Sequence, residues 1–250
     1  MDIISFVKRV PATTTRVAVK DSIRLDTEGV EYELNPYDEF AVEEALKQRD
    51  AAGEGTVTAV SFGPGEAQKE LRKVLAMGAD QAVLLENADA PDCDAEAVAT
   101  VLADAVRERS YRLLLFGKQS VDRDQHGVGP AVATRLGIPC ITEVVKLELD
   151  GDTVVAEREV EGAREVVRAP LPCAVTCQKG LNEPRFPSLK GIMAAKKKPL
   201  ETIATELPAA KVEVLEMALP APRDPGEMLG EGAAAVPTLI DRLRNKEKVL

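Results

Sequence analysis

The sequence predicts an α/β fold, a Rossmann-like and mainly parallel sheet with flanking helices, an added antiparallel hairpin and an extended C-terminal arm. Three observations carry that expectation. Short apolar runs alternate with amphipathic stretches from Asp2 to Gly137, the β-α-β order that builds parallel sheets. Residues from Val144 to Leu171 alternate in type about the turn Asp150-Gly151-Asp152, as in an antiparallel hairpin. From Lys196 onward the chain is rich in Pro, Ala and Gly, a composition that seldom builds its own core.

The expected strands are "DIISFVK", "TVTAVSF", "QAVLLE", "YRLLLFG" and "PCAVTC". Each is short, rich in branched or aromatic residues, and bounded by Gly, Pro or charge. The first helix, "NPYDEFAVEEALKQRD", has Asn35 as N-cap, Pro36 at its first position, and Asp38 and Glu39 in its first turn. "GEAQKELRKVLAMGAD" sets Leu71, Val74 and Leu75 on one face, with Gly78 as a stop. "DAEAVATVLADAVRERS" repeats small apolar residues at helical spacing. "PAVATRLG" follows the loop after "YRLLLFG", and "VPTLIDRLRN" gives one short amphipathic helix near the end. The boundary expected between domain and arm lies at residues 195/196, with residues 1–195 forming the α/β domain.

With 45% hydrophobic and 30% charged residues the composition is that of a globular chain. A net charge of −10 argues against nucleic acid as the main partner. No apolar run approaches the roughly 18 residues of a membrane span, and the N-terminal "MDIISFVKRV" lacks the pattern of a signal peptide. Four sparse cysteines suit a reducing, cytoplasmic setting rather than a disulfide framework. Cys173 and Cys177 share one face of a strand that reads as core, and one His with two distant Cys is a poor metal set.

In open α/β sheets ligands sit beyond the carboxyl ends of the strands, which directs attention to "GKQSVDRDQHGVGP" after the fourth strand. Three readings compete there. Asp122, Asp124 and His126 have ligand chemistry, but no second cluster completes a metal or catalytic shell. Asp and Gly also serve ordinary turns. Third, Gly127, Gly129 and Pro130 open a helix whose free N–H groups would face an anion. The pattern is neither GxGxxG nor GxxxxGK[ST]. "SFGPGE" and "LNPYDEF", with Asn35 and Tyr37, supply two more turns at strand ends. Together three such turns would suit a nucleotide.

Six motifs, "VKRV", "NPYDEFAVEEAL", "AVSFGP", "LAMGAD", "GKQSVDRD" and "LNEPRFPSLKGIMAAKKKPLE", occur in the order found in the β subunit of electron transfer flavoprotein. The chain resembles that family from about Val7 to Glu201. The resemblance implies a heterodimer with an α subunit that holds the redox FAD, the β chain carrying AMP without a redox role. It implies electron shuttling from flavoprotein dehydrogenases, such as acyl-CoA dehydrogenase, to a downstream quinone oxidoreductase, and no catalysis by the isolated chain. In electron-bifurcating relatives a second FAD replaces AMP. A nucleotide-binding sensor or enzyme of the same α/β class is the remaining alternative.

Carried across by position, the implied nucleotide contacts are Phe6, the turn of Asn35, Pro36, Tyr37 and Asp38, and Phe62. They continue through the loop of Gly117, Lys118, Gln119, Ser120, Val121, Asp122, Arg123, Asp124, Gln125, His126, Gly127, Val128 and Gly129. Bifurcating members carry a small residue where Arg123 stands, and favour Gln before a Val-Gly pair where Gly127 precedes Val128 and Gly129. AMP-binding members often have Thr in place of Val128. Arg123 is a bulky cation that can pair with a phosphate and would crowd a longer cofactor, which favours AMP.

The resemblance also implies that Tyr37 lies beside the α-subunit flavin. A second aromatic is common in the family where Thr13 stands, so that contact is not carried over. Glu159 matches an acidic residue that influences flavin-domain docking. The segment Arg185, Phe186, Pro187, Ser188, Leu189, Lys190, Gly191, Ile192, Met193 and Ala194 resembles the loop that binds dehydrogenases, with Leu189 as its anchor. Pro187 and Gly191 punctuate its apolar residues in a way that suits a projecting loop rather than a helix. The alternative is that Leu189, Ile192 and Met193 tuck under the surface. Lys196 to Lys198 would steer acidic partners.

Overall fold

The computed structural model describes residues 1–223 and 225–250. In chain order the elements begin with β1 (Ile3–Phe6), β2 (Arg9–Pro11), β3 (Val19–Lys20), β4 (Arg24–Leu25), β5 (Tyr32–Leu34), α1 (Pro36–Ala52), β6 (Val57–Gly63) and α2 (Gln68–Met77). They continue with β7 (Gln81–Glu86), α3 (Ala95–Val106), β8 (Leu113–Gly117), α4 (Val128–Leu136), β9 (Cys140–Asp150), β10 (Thr153–Val160) and β11 (Ala163–Pro170). β12 (Cys173–Cys177), α5 (Leu189–Ala195), β13 (Leu200–Ala204) and α6 (Val236–Asp241) complete the order.

Nine strands form one sheet in the order β11-β10-β9-β12-β8-β1-β6-β7-β13. The strands from β9 through β12, β8, β1, β6 and β7 to β13 pair in parallel, while β9, β10 and β11 pair antiparallel. The α/β class, the parallel core and the antiparallel addition are therefore as the sequence predicted. That addition has three strands rather than two, because a second turn at Gly162, with φ 74°, returns β11 onto β10.

Alternation along the strands divides the core between the two sheet faces. Ile3, Leu113, Leu115 and Val175 join one buried cluster with Leu46 of α1 and Leu71 and Leu75 of α2. Ile4, Leu114, Phe116 and Ala174 join the other, with Leu102 of α3 and Val132 of α4. Strands buried on both faces read as continuous apolar runs, which is why "RLLLFG" carries no polar alternation. Cys173 and Cys177 are buried in the first cluster, as expected of that strand.

The chain lays β6 and β7 on one side of β1 and then returns to place β8 on the other. The β1/β8 boundary is thus the topological switch, where open α/β sheets leave a crevice. β13 was hidden in the sequence. It lies beyond the expected boundary at residue 195, in a Pro- and Lys-flanked stretch, yet Leu200 to Ala204 pair in register with Ala82 to Glu86.

Contacts divide the chain into two units, Met1–Val17 with Asp26–Leu215, and Ala18–Leu25 with Glu216–Leu250. The second contains the β3/β4 pair, α6, and a hydrogen bond from the Met217 N–H to the Ser22 carbonyl at 2.6 Å. Leu215 at the end of the first unit, and Leu219, Met228, Leu239 and Leu250 of the second, are exposed.

Candidate functional site

A cleft opens at the carboxyl ends of β1, β6 and β8, where open α/β sheets leave room for a ligand. The strands deliver its apolar wall: Phe6 from β1, Val60 and Phe62 from β6, and Phe116 from β8. The Phe6 and Phe116 rings stack with centroids 4.3 Å apart and 6° between planes. Val98 and Leu102 of α3 supply the facing wall, with Pro91 and Cys93 of the segment before it.

The polar side comes from the loop after β8. Gly117, Lys118, Gln119, Ser120, Arg123, Gln125, Val128 and Gly129 line the cleft, together with Lys8, Asn35 and Asp38. Three separated turns of the sequence therefore converge on one space. Pro36, Tyr37, Val121, Asp122, Asp124, His126 and Gly127 do not line it. Tyr37 has the Lys118 ammonium 5.3 Å above its ring. Asp122 holds Lys8 Nζ at 2.6 and 2.8 Å, and Asp124 accepts from Gln119 Nε2 at 2.5 Å. His126 is exposed, with Nδ1 3.6 Å from Glu143. Among the described residues no group of three or more His, Cys, Asp or Glu is placed to hold a metal ion.

Two glycines are required by close approach. A Cβ on Gly117 would stand 2.8 Å from the Tyr37 Cβ and closer still to the Asp38 carboxylate. A Cβ on Gly129 would stand 2.8 Å from Thr176 Cγ2, so glycine lets α4 sit tightly on β12. Helix α4 begins at Gly127 without a side-chain cap, which leaves its first N–H groups for water or an anion.

Asn35 is the residue at the N-cap of α1, but its side chain makes no cap. Its Nδ2 donates to Asp38 Oδ1 at 2.8 Å and to the Gln119 carbonyl at 2.9 Å, and its Oδ1 accepts from the Val121 N–H at 3.2 Å. Asp38 accepts in addition from the Lys8 N–H at 2.7 Å and the Gly117 N–H at 3.2 Å. Burial pushes its carboxyl up to about 7, against the opposing pull of these donors and of the Lys8 charge. Arg123 donates to the Pro91 carbonyl and so joins the two walls of the cleft.

Lys8 and the α3-side wall were not legible as site residues. Lys8 lies two residues beyond β1, at a strand exit that carried the signal, whereas Pro91, Cys93, Val98 and Leu102 belong to no phosphate or turn motif. All four cysteine thiols are pushed up, burial being the first cause in each; Cys93 also feels Asp94 and Asp92.

Within the segment from Arg185 to Ala194, residues 185–188 are irregular as expected, but Leu189–Ala195 form the short capped helix α5 where a loop was expected. Ser188 supplies the reason: its Oγ accepts from the Gly191 N–H at 3.0 Å. Gly191 is needed because a Cβ there would stand 2.5 Å from the Ala76 carbonyl oxygen. Leu189 is 83% exposed, Phe186 95% and Met193 72%, so these side chains are displayed rather than tucked in. Arg185 is instead a pin, donating to Glu43 from its backbone N–H at 3.1 Å and from its guanidinium at 2.8 and 2.9 Å. Of the lysine run, Lys196 and Lys197 are exposed. Lys198 donates to the Leu75 and Ala79 carbonyls at 3.0 and 2.6 Å, capping the end of α2. Glu159 faces Arg164 across β10 and β11 at 3.5 Å.

These features define an open α/β chain with a cleft at its switch point and a separate exposed apolar surface. Residues 23–208 match the model of the electron transfer flavoprotein domain. The chain is 40% identical over 259 residues to the electron transfer flavoprotein subunit beta of Bacillus subtilis (strain 168), covering 100% of both chains. It is 34% identical over 261 residues to that of Thermoanaerobacterium thermosaccharolyticum, again covering 100% of both. Against the human subunit beta the identity is 39% over 203 residues, with 79% of this chain and 78% of that one covered. The chain belongs to the electron transfer flavoprotein family, among its beta subunits.

Proposed function

We propose that this chain is the nucleotide-holding and partner-presenting subunit of a heterodimeric electron carrier. Its cleft holds AMP, an α subunit brings the redox FAD, and the pair carries electrons from flavoprotein dehydrogenases such as acyl-CoA dehydrogenase to a quinone oxidoreductase. The observation that carries this reading is the composition of the cleft. Phe6, Phe62 and Leu102 offer an apolar slot of the kind a purine fills, while Lys8 and the loop into α4 supply positive charge and N–H groups for a phosphate. Arg123, bonded across to Pro91, favours a mononucleotide over the longer FAD.

Tyr37 stands beside the α-subunit flavin, Glu159 bears on docking of the flavin domain, and the chain beyond β13 packs on the α subunit through its exposed leucines and methionines. Leu189 enters an apolar pocket of the dehydrogenase. A small anchor suits a transient interface, which a shuttle needs for turnover.

The test is to purify the chain with its α subunit, denature it, and determine the released nucleotide by mass spectrometry and visible spectrum. AMP with one flavin per heterodimer is expected. Two flavins per heterodimer would replace AMP by a second FAD, and no released adenine nucleotide would remove the reading.

A further inference from the structure

Asp38 sits at the base of the cleft with its carboxylate oxygens turned into the protein. Its three donors come from three places: the Lys8 N–H beyond β1, the Gly117 N–H at the end of β8, and the Asn35 amide before α1. Asn35 extends the tie to the carbonyl of Gln119 and the N–H of Val121. Lys8, Gly117 and Gln119 line the cleft. Every bond at the Asp38 carboxylate uses it as an acceptor, so protonation would remove the charge that strengthens these bonds.

We propose that Asp38 is a positioning residue: its ionised form clamps the exits of β1 and β8 to the start of α1, holds the loop 117–129 in its ligand-taking shape, and thereby links nucleotide retention to one proton. This rests on the cleft being the nucleotide site. The groups around the carboxyl are the Lys8 ammonium on the β1 side, which favours the ion, and the buried Cys177 thiol of β12, which Asp38 and Glu44 of α1 push up. β8 contributes the Gly117 N–H. Burial holds the carboxyl at about 7, so the two forms exchange near neutral pH. A ligand that selects the ionised clamp binds more tightly as pH rises through that value, by up to about tenfold per pH unit below it, and levels off above.

The experiment titrates the nucleotide-stripped heterodimer calorimetrically with AMP and with adenosine 5′-sulfate, between about pH 5.5 and about pH 8.5. The sulfate ester does not titrate in that range, so its profile reports the protein's proton. Both ligands are expected to weaken towards low pH. Asp38→Asn is expected to bind about tenfold to a hundredfold more weakly at the alkaline end, with a flat sulfate-ester profile and an AMP profile less steep than that of the wild type. A flat sulfate-ester profile in the wild type, or identical AMP profiles in wild type and variant, overturns the clamp while leaving AMP as the ligand. Failure of AMP to bind at any pH takes down both the clamp and the nucleotide reading. If Asp38→Asn does not fold, the wild-type profiles decide alone.

Discussion

Gly117→Ala and Gly127→Ala change the same loop by one methyl group each, and the structure assigns them opposite outcomes. The new Cβ at 117 would stand 2.8 Å from both the Tyr37 Cβ and its carbonyl carbon and closer to Asp38. Packed against helix start and strand end, it can be admitted only by displacing backbone or by breaking the Asp38 to Gly117 bond of 3.2 Å. Overpacking of this kind costs about 1–3 kcal/mol, and a buried acceptor that loses its donor costs about 1–3 kcal/mol more. A loss of about 2–6 kcal/mol is expected, together with loss of the cleft ligand. At Gly127 an added Cβ meets nothing within 4 Å and the backbone φ of −90° suits any residue. There the cost is that of an N-cap preference, at most about 1 kcal/mol. Urea unfolding of the two variants beside the wild type measures the contrast. Equal midpoints for Gly117→Ala and wild type, at unchanged slope, would refute the account of the loop as a structure closed against α1.

Leu189→Ala should leave the unfolding midpoint unchanged, because the side chain is exposed, while removing about 2 kcal/mol of interface burial; stopped-flow reduction by an acyl-CoA dehydrogenase should show a KM raised about thirtyfold, and an unchanged KM would count against the anchor. Arg185→Ala should destabilise the fold by about 1–3 kcal/mol, discounted for the part-exposed guanidinium, since it strands the buried Glu43 carboxylate; a midpoint equal to wild type would contradict the pin. For Asp38, burial pushes the folded carboxyl up to about 7 from its ordinary 3.8. Between those values the folded state keeps a proton that the unfolded state has released. Its stabilising contribution is complete at acid pH and lost as pH rises to about 7, at most about 4 kcal/mol. Asp38→Asn should flatten that slope in urea midpoints compared at about pH 5 and about pH 8; an equal slope in both would dismiss the assignment.

What the sequence disclosed was what depends on local pattern. "RLLLFG" and "QAVLLE" could only be buried strands, and "NPYDEF" could only open a helix. The convergence of the three strand ends on one cleft followed from the β-α-β order. What stayed hidden depended on distant partners. Nothing in "KPLETIA" announces an edge strand until β7 offers its free edge. Ser188 is an ordinary capping residue, but the punctuation by Pro187 and Gly191 outweighed it, and only contact between Gly191 and Ala76 explains the glycine. Lys198 reads as one of three solvated cations until the carbonyls of α2 claim it. Asn35 was read as a cap by its type, and its side chain is drawn away by Asp38 and the loop after β8.

Helix α1 carries four of its acids in two groups, Asp38 with Glu39 and Glu43 with Glu44, separated by little more than one turn. Asp38 ties it to the cleft, while Glu43 holds Arg185 and Glu44 holds Asn182 at 2.9 Å, ahead of the displayed leucine. Over five or six residues a helix spans only about 8–9 Å and behaves as a stiff rod. Tilting it by repacking Ala41 or Ala45 would therefore disturb ligand grip and partner display in one stroke. Retuning partner choice alone calls for edits off that rod, at Phe186, Leu189 or Met193, where solvent rather than α1 is the neighbour.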